Sequence, residues 1–187
     1  MKSTYGPSYP SFSSRHTRDI VEQAYQAAEE GDIETLSYCL AALSPKHRED
    51  ALTAYLDVNE YAKKLGIEPI DWLERAAEVT RGFVPKTKGK HNLYIILLYE
   101  LKGKIPGYGL YVGETSKSPA DRFQEHAERK RSRKGPLFSR IVFKHCKCLL
   151  PSLYDHLNPL SRAEAKELEG KIAEALRLAG IPVYGGH

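Results

Sequence analysis

Cysteine is scarce in this chain: three residues in 187, Cys39, Cys146 and Cys148. Three thiols make no disulfide framework of the kind that staples small secreted domains. His145-Cys146-Lys147-Cys148 gathers metal-binding side chains, and on a strand the two thiols share one face. The sequence nevertheless lacks a second ligand pair at zinc spacing. No apolar run reaches the ~18 residues of a membrane span, and no stretch reads as a signal peptide. The expectation is a soluble chain in a reducing, cytoplasmic setting, without a membrane partner. There is no internal repeat. Tryptophan and phenylalanine are few (1 and 5), whereas tyrosine is over-used at 12. Most of these phenols suit half-buried positions, and some suit a wet, anionic site.

Acidic residues are missing from one segment in particular. Between Arg129 and Lys147 there are eight Lys/Arg and no Asp or Glu. The wider balance is also uneven. Residues 1–80 carry 8 Lys/Arg against 14 Asp/Glu, a net of −6, while residues 81–187 carry 20 against 10, a net of +10. Such a split points to a polyanionic partner for the second part only.

Residues 1–14 are rich in Ser, Pro and Tyr without periodicity and read as a flexible arm. Over 15–82 the pattern is helical, with four short amphipathic segments separated by Gly31-Asp32, Ser44-Pro45 and Gly66. This small all-α bundle holds no catalytic constellation, and its acidity argues against a general DNA grip. It suits a protein partner or packing on the second domain. Residues 83–90 form a basic, turn-rich linker.

From 91 to 187 the period changes. NLYIILLYEL (92–101) is an apolar run of strand length, and YGLYVGETS (108–116) is a second strand, so the two read as a hairpin turning about Gly103–Lys104. Gly107, Gly109 and Gly113 approach a G-x-G-x-x-G fingerprint. A dinucleotide site, however, requires a helix directly after the glycines, and here Leu110, Tyr111 and Val112 have strand character. Ser118-Pro119 opens a helix. A third strand is expected near Ser139–Lys144. The last helix, 161–180, begins with a Ser161/Glu164 capping box and ends at Gly180. The fold class is therefore α+β.

Three features exceed what a core needs. On the last helix Glu169 lies on the apolar arc of Ala165, Leu168, Ile172 and Ala173, whereas Glu164, Glu167, Lys171 and Glu174 fall on the opposite face. A carboxylate on the apolar arc either pairs with a cation or holds a metal. Arg122 and His126 are one turn apart on a helix, joining a phosphate-binding group to a proton-carrying one. A solvated helix face would carry the same spacing. Tyr94 and Tyr111 sit on the two paired strands, Tyr94 near Gly113 and Tyr111 near Ile96, and share one sheet face. The basic segment adds Arg129, Lys130, Arg131, Arg133, Lys134, Arg140 and Lys144 as phosphate-contacting candidates.

Asn92-Leu93-Tyr94, then Tyr111-Val112-Gly113, then Arg122-x-x-x-His126 on a helix, then Glu169 in LEGKIA, resembles the GIY-YIG endonuclease domain. The resemblance covers roughly 91–187. It implies a three-stranded antiparallel sheet with flanking helices and a metal-dependent endonuclease that hydrolyses DNA. It makes Tyr94, Tyr111, Arg122, His126 and Glu169 catalytic, with Glu169 the ligand of one Mg²⁺ or Mn²⁺. DNA, or RNA, is the implied partner. One of the two phenols, with His126 as a relay, would take the proton of the attacking water. The first motif lacks its glycine and the second has Val112 for Ile. The family's late asparagine falls at Gly185, with Asn158 or His187 as substitutes. The other reading is a catalytically weak or inactive nucleic-acid-binding module of this type, with a helical domain for a protein partner.

Overall fold

The computed structural model describes residues 15–44, 48–101, 107–133 and 135–186. The arm at 1–14, the turn at Gly103–Lys104, Lys134 and His187 lie outside the described residues. The rest divides into two compact units between Arg75 and Ala76. Among the described residues the fold is α+β: seven α-helices, a mixed four-stranded sheet and a two-stranded one. No described helix is long and apolar enough to cross a membrane.

The first unit is helical. α1 (Thr17–Glu30) ends where Gly31 turns left-handed at φ 70° and Asp32 N–H returns to the Ala27 carbonyl at 2.8 Å. A residue with a Cβ resists that backbone, so the Gly31-Asp32 pair fixes the stop. Asp32 then caps α2 (Ile33–Leu43), accepting from Thr35 N–H at 3.1 Å. α3 (Leu52–Lys64) follows, and the three helices bury Ile20, Ala24, Leu36, Leu40, Leu43, Val58 and Ala62. α4 (Leu73–Arg81) carries the division between the units.

The second unit is built on β1 (Asn92–Leu101) and β2 (Gly107–Thr115), which pair antiparallel with Tyr94 opposite Gly113 and Ile96 opposite Tyr111. Every residue from Leu93 to Leu98 is at most 1% exposed. An unbroken apolar run is what a central strand covered on both faces requires. After β2 the chain enters α5 (Pro119–Ala127), where Ser118 accepts from Asp121 N–H. A minimal hairpin of β3 (Arg131–Ser132) and β4 (Gly135–Pro136) comes next.

The third sheet strand is not at Ser139–Lys144. That segment is α6 (Arg140–His145), and the strand is β5 (Cys146–Leu149), antiparallel to β1. In a strand, Arg140, Val142 and Lys144 would share one face. Helical spacing instead puts the two cations together and sends Val142, which is fully buried, to the other side. A fourth strand, β6 (Val183–Gly185), follows α7 (Arg162–Leu178) and runs parallel to β2, giving the order β5-β1-β2-β6. The sheet is therefore mixed and four-stranded rather than three-stranded and antiparallel.

The capping box of α7 is half made. Ser161 accepts from Glu164 N–H at 3.3 Å, but the Glu164 carboxylate turns to the Lys86 and Thr87 amides at 2.7 and 2.8 Å. Glu164 is accordingly buried rather than on the solvent face, and it ties the 83–90 segment to the helix start.

Candidate active site

The five side chains come from four elements. β1 supplies Tyr94, β2 Tyr111, α5 Arg122 and His126, and α7 Glu169. The hairpin register sets both phenols on one sheet face, with ring centroids 6.1 Å apart. The first turn of α5 begins at the Ser118 cap, so its last turn delivers His126 onto that same face. The His126 ring lies 6.0 Å from Tyr94 and 5.9 Å from Tyr111, closing a triangle. Gly113 makes the room. A Cβ there would stand 2.5 Å from the Tyr94 hydroxyl and 3.0 Å from Tyr111 Cε1.

His126 is wholly buried, so this side of α5 is not a solvated one. Its Nδ1 lies 2.9 Å from Ser139 N–H and its Nε2 3.0 Å from the Tyr94 hydroxyl. A backbone amide can only donate, so Nδ1 carries no proton and the neutral ring has its hydrogen on Nε2. Nε2–H therefore donates to the Tyr94 oxygen. Burial first, and then the charge of Arg122, pushes the His126 pKa down to about 4, against a smaller opposing pull from Glu125. A relay through His126 has no vacant nitrogen: Nδ1 is taken by Ser139 and Nε2 already holds a proton.

The two phenols differ. Burial, and then the neighbouring Tyr111, raises the Tyr94 pKa well above the ordinary tyrosine range, and Arg122 only partly offsets this. Tyr111 is half-buried. Burial raises its pKa too, and the negative charge of Glu169 adds to that, while hydrogen bonding from Tyr94 and Ser139 and the charge of Arg122 favour its phenolate.

Arg122 is oriented from behind. Its Nη1 donates to the Leu137 carbonyl and to Glu125 Oε2 at 3.2 Å. Glu125 is only 5% exposed and also receives Lys117 and, at 3.8 Å, Lys130. Burial raises the Glu125 pKa, but hydrogen bonds from Lys117 and Arg122 outweigh it and hold the carboxyl below its ordinary range. Arg122 also hydrogen-bonds the Tyr94 side chain, and a guanidinium with five N–H donors is not exhausted by these contacts. Neither Glu125 nor Ser139 stands out in the sequence. Glu125 was within reach, because Arg122 and Glu125 are three apart on a helix; the Ser139 amide carries no side-chain signature.

Glu169 is half-buried beside the apolar Ala165, Leu168, Ile172 and Ala173. Among the described residues no three His, Cys, Asp or Glu side chains cluster at metal distance, His145, Cys146 and Cys148 included. This donor chemistry fits a hard cation that keeps most of its waters and shares one carboxylate with a phosphate, as Mg²⁺ does. It does not fit a closed structural zinc.

Of the two substitutes for the late asparagine, Asn158 lies elsewhere. Asn158 clamps the start of β1, accepting from Leu93 N–H and donating to Leu93 carbonyl, both at 2.8 Å. At Gly185 no side chain is admissible: φ is 82° and a Cβ would stand 2.4 Å from the Val112 carbonyl. Of the basic residues, Arg129, Arg131, Arg140 and Lys144 line one pocket, whereas Lys130 turns toward Glu125. Arg133 is exposed between β3 and β4.

No protein-family model, curated protein or solved structure matches the chain.

Proposed function

We propose that the chain is a metal-dependent endonuclease of the GIY-YIG type, hydrolysing phosphodiester bonds of DNA. One observation carries the reading. Tyr94, Tyr111 and His126, more than thirty residues apart at the extremes, close one ring triangle, with Arg122 in contact with Tyr94 and the charge of Glu169 felt at Tyr111. A core needs none of these polar groups at its centre.

Arg122, braced by Glu125 and Leu137, holds the non-bridging oxygens of the phosphate and offsets charge that grows there during attack. Tyr111 is the base. It is the more open of the two phenols, and the Tyr94 and Ser139 hydroxyls favour its ionised form. Tyr94 keeps its proton, supported at its oxygen by His126 Nε2–H, and acts through Tyr111. An ordinary phenol costs about 4 kcal/mol to ionise at pH 7, so only the small fraction of Tyr111 already present as phenolate takes the proton of the attacking water. Glu169 would hold the Mg²⁺ or Mn²⁺ ion, which would supply charge stabilisation for the leaving oxygen and would lessen the carboxylate's opposition to the Tyr111 phenolate.

Nicking of supercoiled plasmid with Mg²⁺ tests this, comparing wild type with Glu169→Gln and Tyr111→Phe. Each variant is expected to lose at least a hundredfold in rate. Because the Tyr111 pKa is raised, the wild-type rate is expected to climb close to tenfold per pH unit from pH 6.5 to 8.5. Equal nicking by all three proteins, or a rate already level at pH 7, would overturn the assignment. A second reading, a binding module without turnover, is favoured by one observation: Gly185 leaves no side chain where the family carries its late asparagine. DNA binding by wild type that weakens with salt, without any nicking, would select it.

A further inference from the structure

Beside the site lies an open pocket of about 320 Å³, lined by Arg129, Arg131, Phe138, Arg140, Phe143 and Lys144. Among the described residues, four cations and two aromatic rings line it, and no acid does. The rings pack edge to face with centroids 6.0 Å apart. Arg129 has its guanidinium carbon 4.1 Å from the centre of Phe143 and 5.9 Å from that of Phe138. Its backbone is left-handed at φ 55°, a conformation few non-glycine residues adopt. The side chain is thus presented by the turn that follows α5, not by chance on a helix face.

We propose that this pocket receives one unpaired base of a single-stranded segment, the substrate feature that the neighbouring site recognises. The inference rests on the endonuclease reading for its substrate class. A surface that only neutralises phosphates needs cations and no rings. Here two half-exposed phenylalanines stand among the cations, and a ring face flanked by cations is how single strands are held without regard to sequence. Bases inside a duplex have both faces covered by their neighbours, so only an unpaired base can fill the space. The guanidinium of Arg129 adds a second planar surface, since one of its faces meets Phe143 and the residue is solvent-exposed.

The link to the chemistry is covalent and short. Leu137 gives its carbonyl to Arg122 and Ser139 its amide to His126. Phe138 lies between them, about 3.8 Å along the chain from each. The same three residues thus contact Arg122 and His126 and lend Phe138 to the pocket.

The test is binding in EDTA by fluorescence anisotropy, with nicking of supercoiled plasmid in Mg²⁺ measured in parallel. The probes are a twelve-nucleotide oligothymidine, a twelve-nucleotide strand of abasic sugars with the same charge, a blunt duplex and a polyglutamate peptide. Wild type is expected to bind oligothymidine about five- to tenfold more tightly than the abasic strand. Phe143→Leu, which keeps apolar bulk but removes the ring, is expected to abolish that preference and leave abasic-strand affinity and its salt slope unchanged. Unchanged abasic affinity also shows that the variant is folded. Equal affinity of wild type for oligothymidine and the abasic strand overturns the proposal even if nicking is intact. Tighter binding of polyglutamate than of oligothymidine also overturns it and assigns the pocket to an acidic protein segment. Absence of nicking with the base preference retained leaves the pocket standing and removes the endonuclease reading alone.

Discussion

Lowering the pH should destabilise the second unit through His126, by an amount the geometry sets. In the unfolded chain the ring titrates at its ordinary 6.5, and in the folded one at about 4. Between those values the unfolded chain takes up a proton that the folded chain refuses. The stabilising contribution is fully present above pH 6.5, falls as pH drops and is lost by about pH 4. At about 1.4 kcal/mol per pH unit, the span is worth about 3 kcal/mol. The physical cause is visible in the contacts. A second proton must go on Nδ1, where the Ser139 amide already donates from 2.9 Å. Protonation thus breaks a hydrogen bond and buries a cation beside Arg122. Urea unfolding of wild type and His126→Gln from pH 7.5 to 4 isolates the effect, since the carboxylates titrate alike in both proteins. Wild type should lose about 3 kcal/mol more than the variant. Nitrogen NMR of the ring should show the Nε2–H tautomer through pH 5. A ring that titrates near 6.5, or that carries its proton on Nδ1, would refute the reasoning.

Two further substitutions test the frame around the site. Gly113→Ala puts a methyl 2.5 Å from the Tyr94 hydroxyl, so Tyr94 must move; overpacking of this kind costs about 1–3 kcal/mol, and nicking should fall more steeply than the melting temperature. Retained nicking would show that Tyr94 need not sit there. Asn158→Ala leaves the fully buried Leu93 without two hydrogen bonds, a loss of about 2 kcal/mol in chemical denaturation, with the rate per folded molecule little changed. A rate loss without a stability loss would instead place Asn158 in the chemistry.

Local signals made the elements legible. The unbroken run 92–101 yields a central strand, and the Gly31-Asp32 and Ser118-Pro119 pairs fix helix ends because each satisfies backbone groups in a defined way. The hairpin register followed from strand parity, which is why the facing of Tyr94 and Tyr111 was readable. Reading failed where non-local contacts decide. RIVFKH has strand-like composition but forms α6, since only helical spacing separates Val142 from Arg140 and Lys144. Three residues, Val183–Gly185, form a strand because β2 offers a free edge that only the folded sheet possesses. Glu164 was placed on the solvent face by its position on the helix, yet two amides from residues far away in sequence bury it.

The same distinction explains how the candidate site is supported. Its side chains could be named from spacing, but the groups that set their chemistry are largely backbone atoms, and these leave no mark in a sequence. Ser139 N–H decides the tautomer of His126, and thereby makes His126 a donor to Tyr94 rather than an acceptor. The Leu137 carbonyl fixes one end of Arg122. Both belong to the three-residue segment that also carries Phe138 into the basic pocket. A shift of that segment would therefore change the protonation of the phenols, the aim of the guanidinium and the shape of the pocket together.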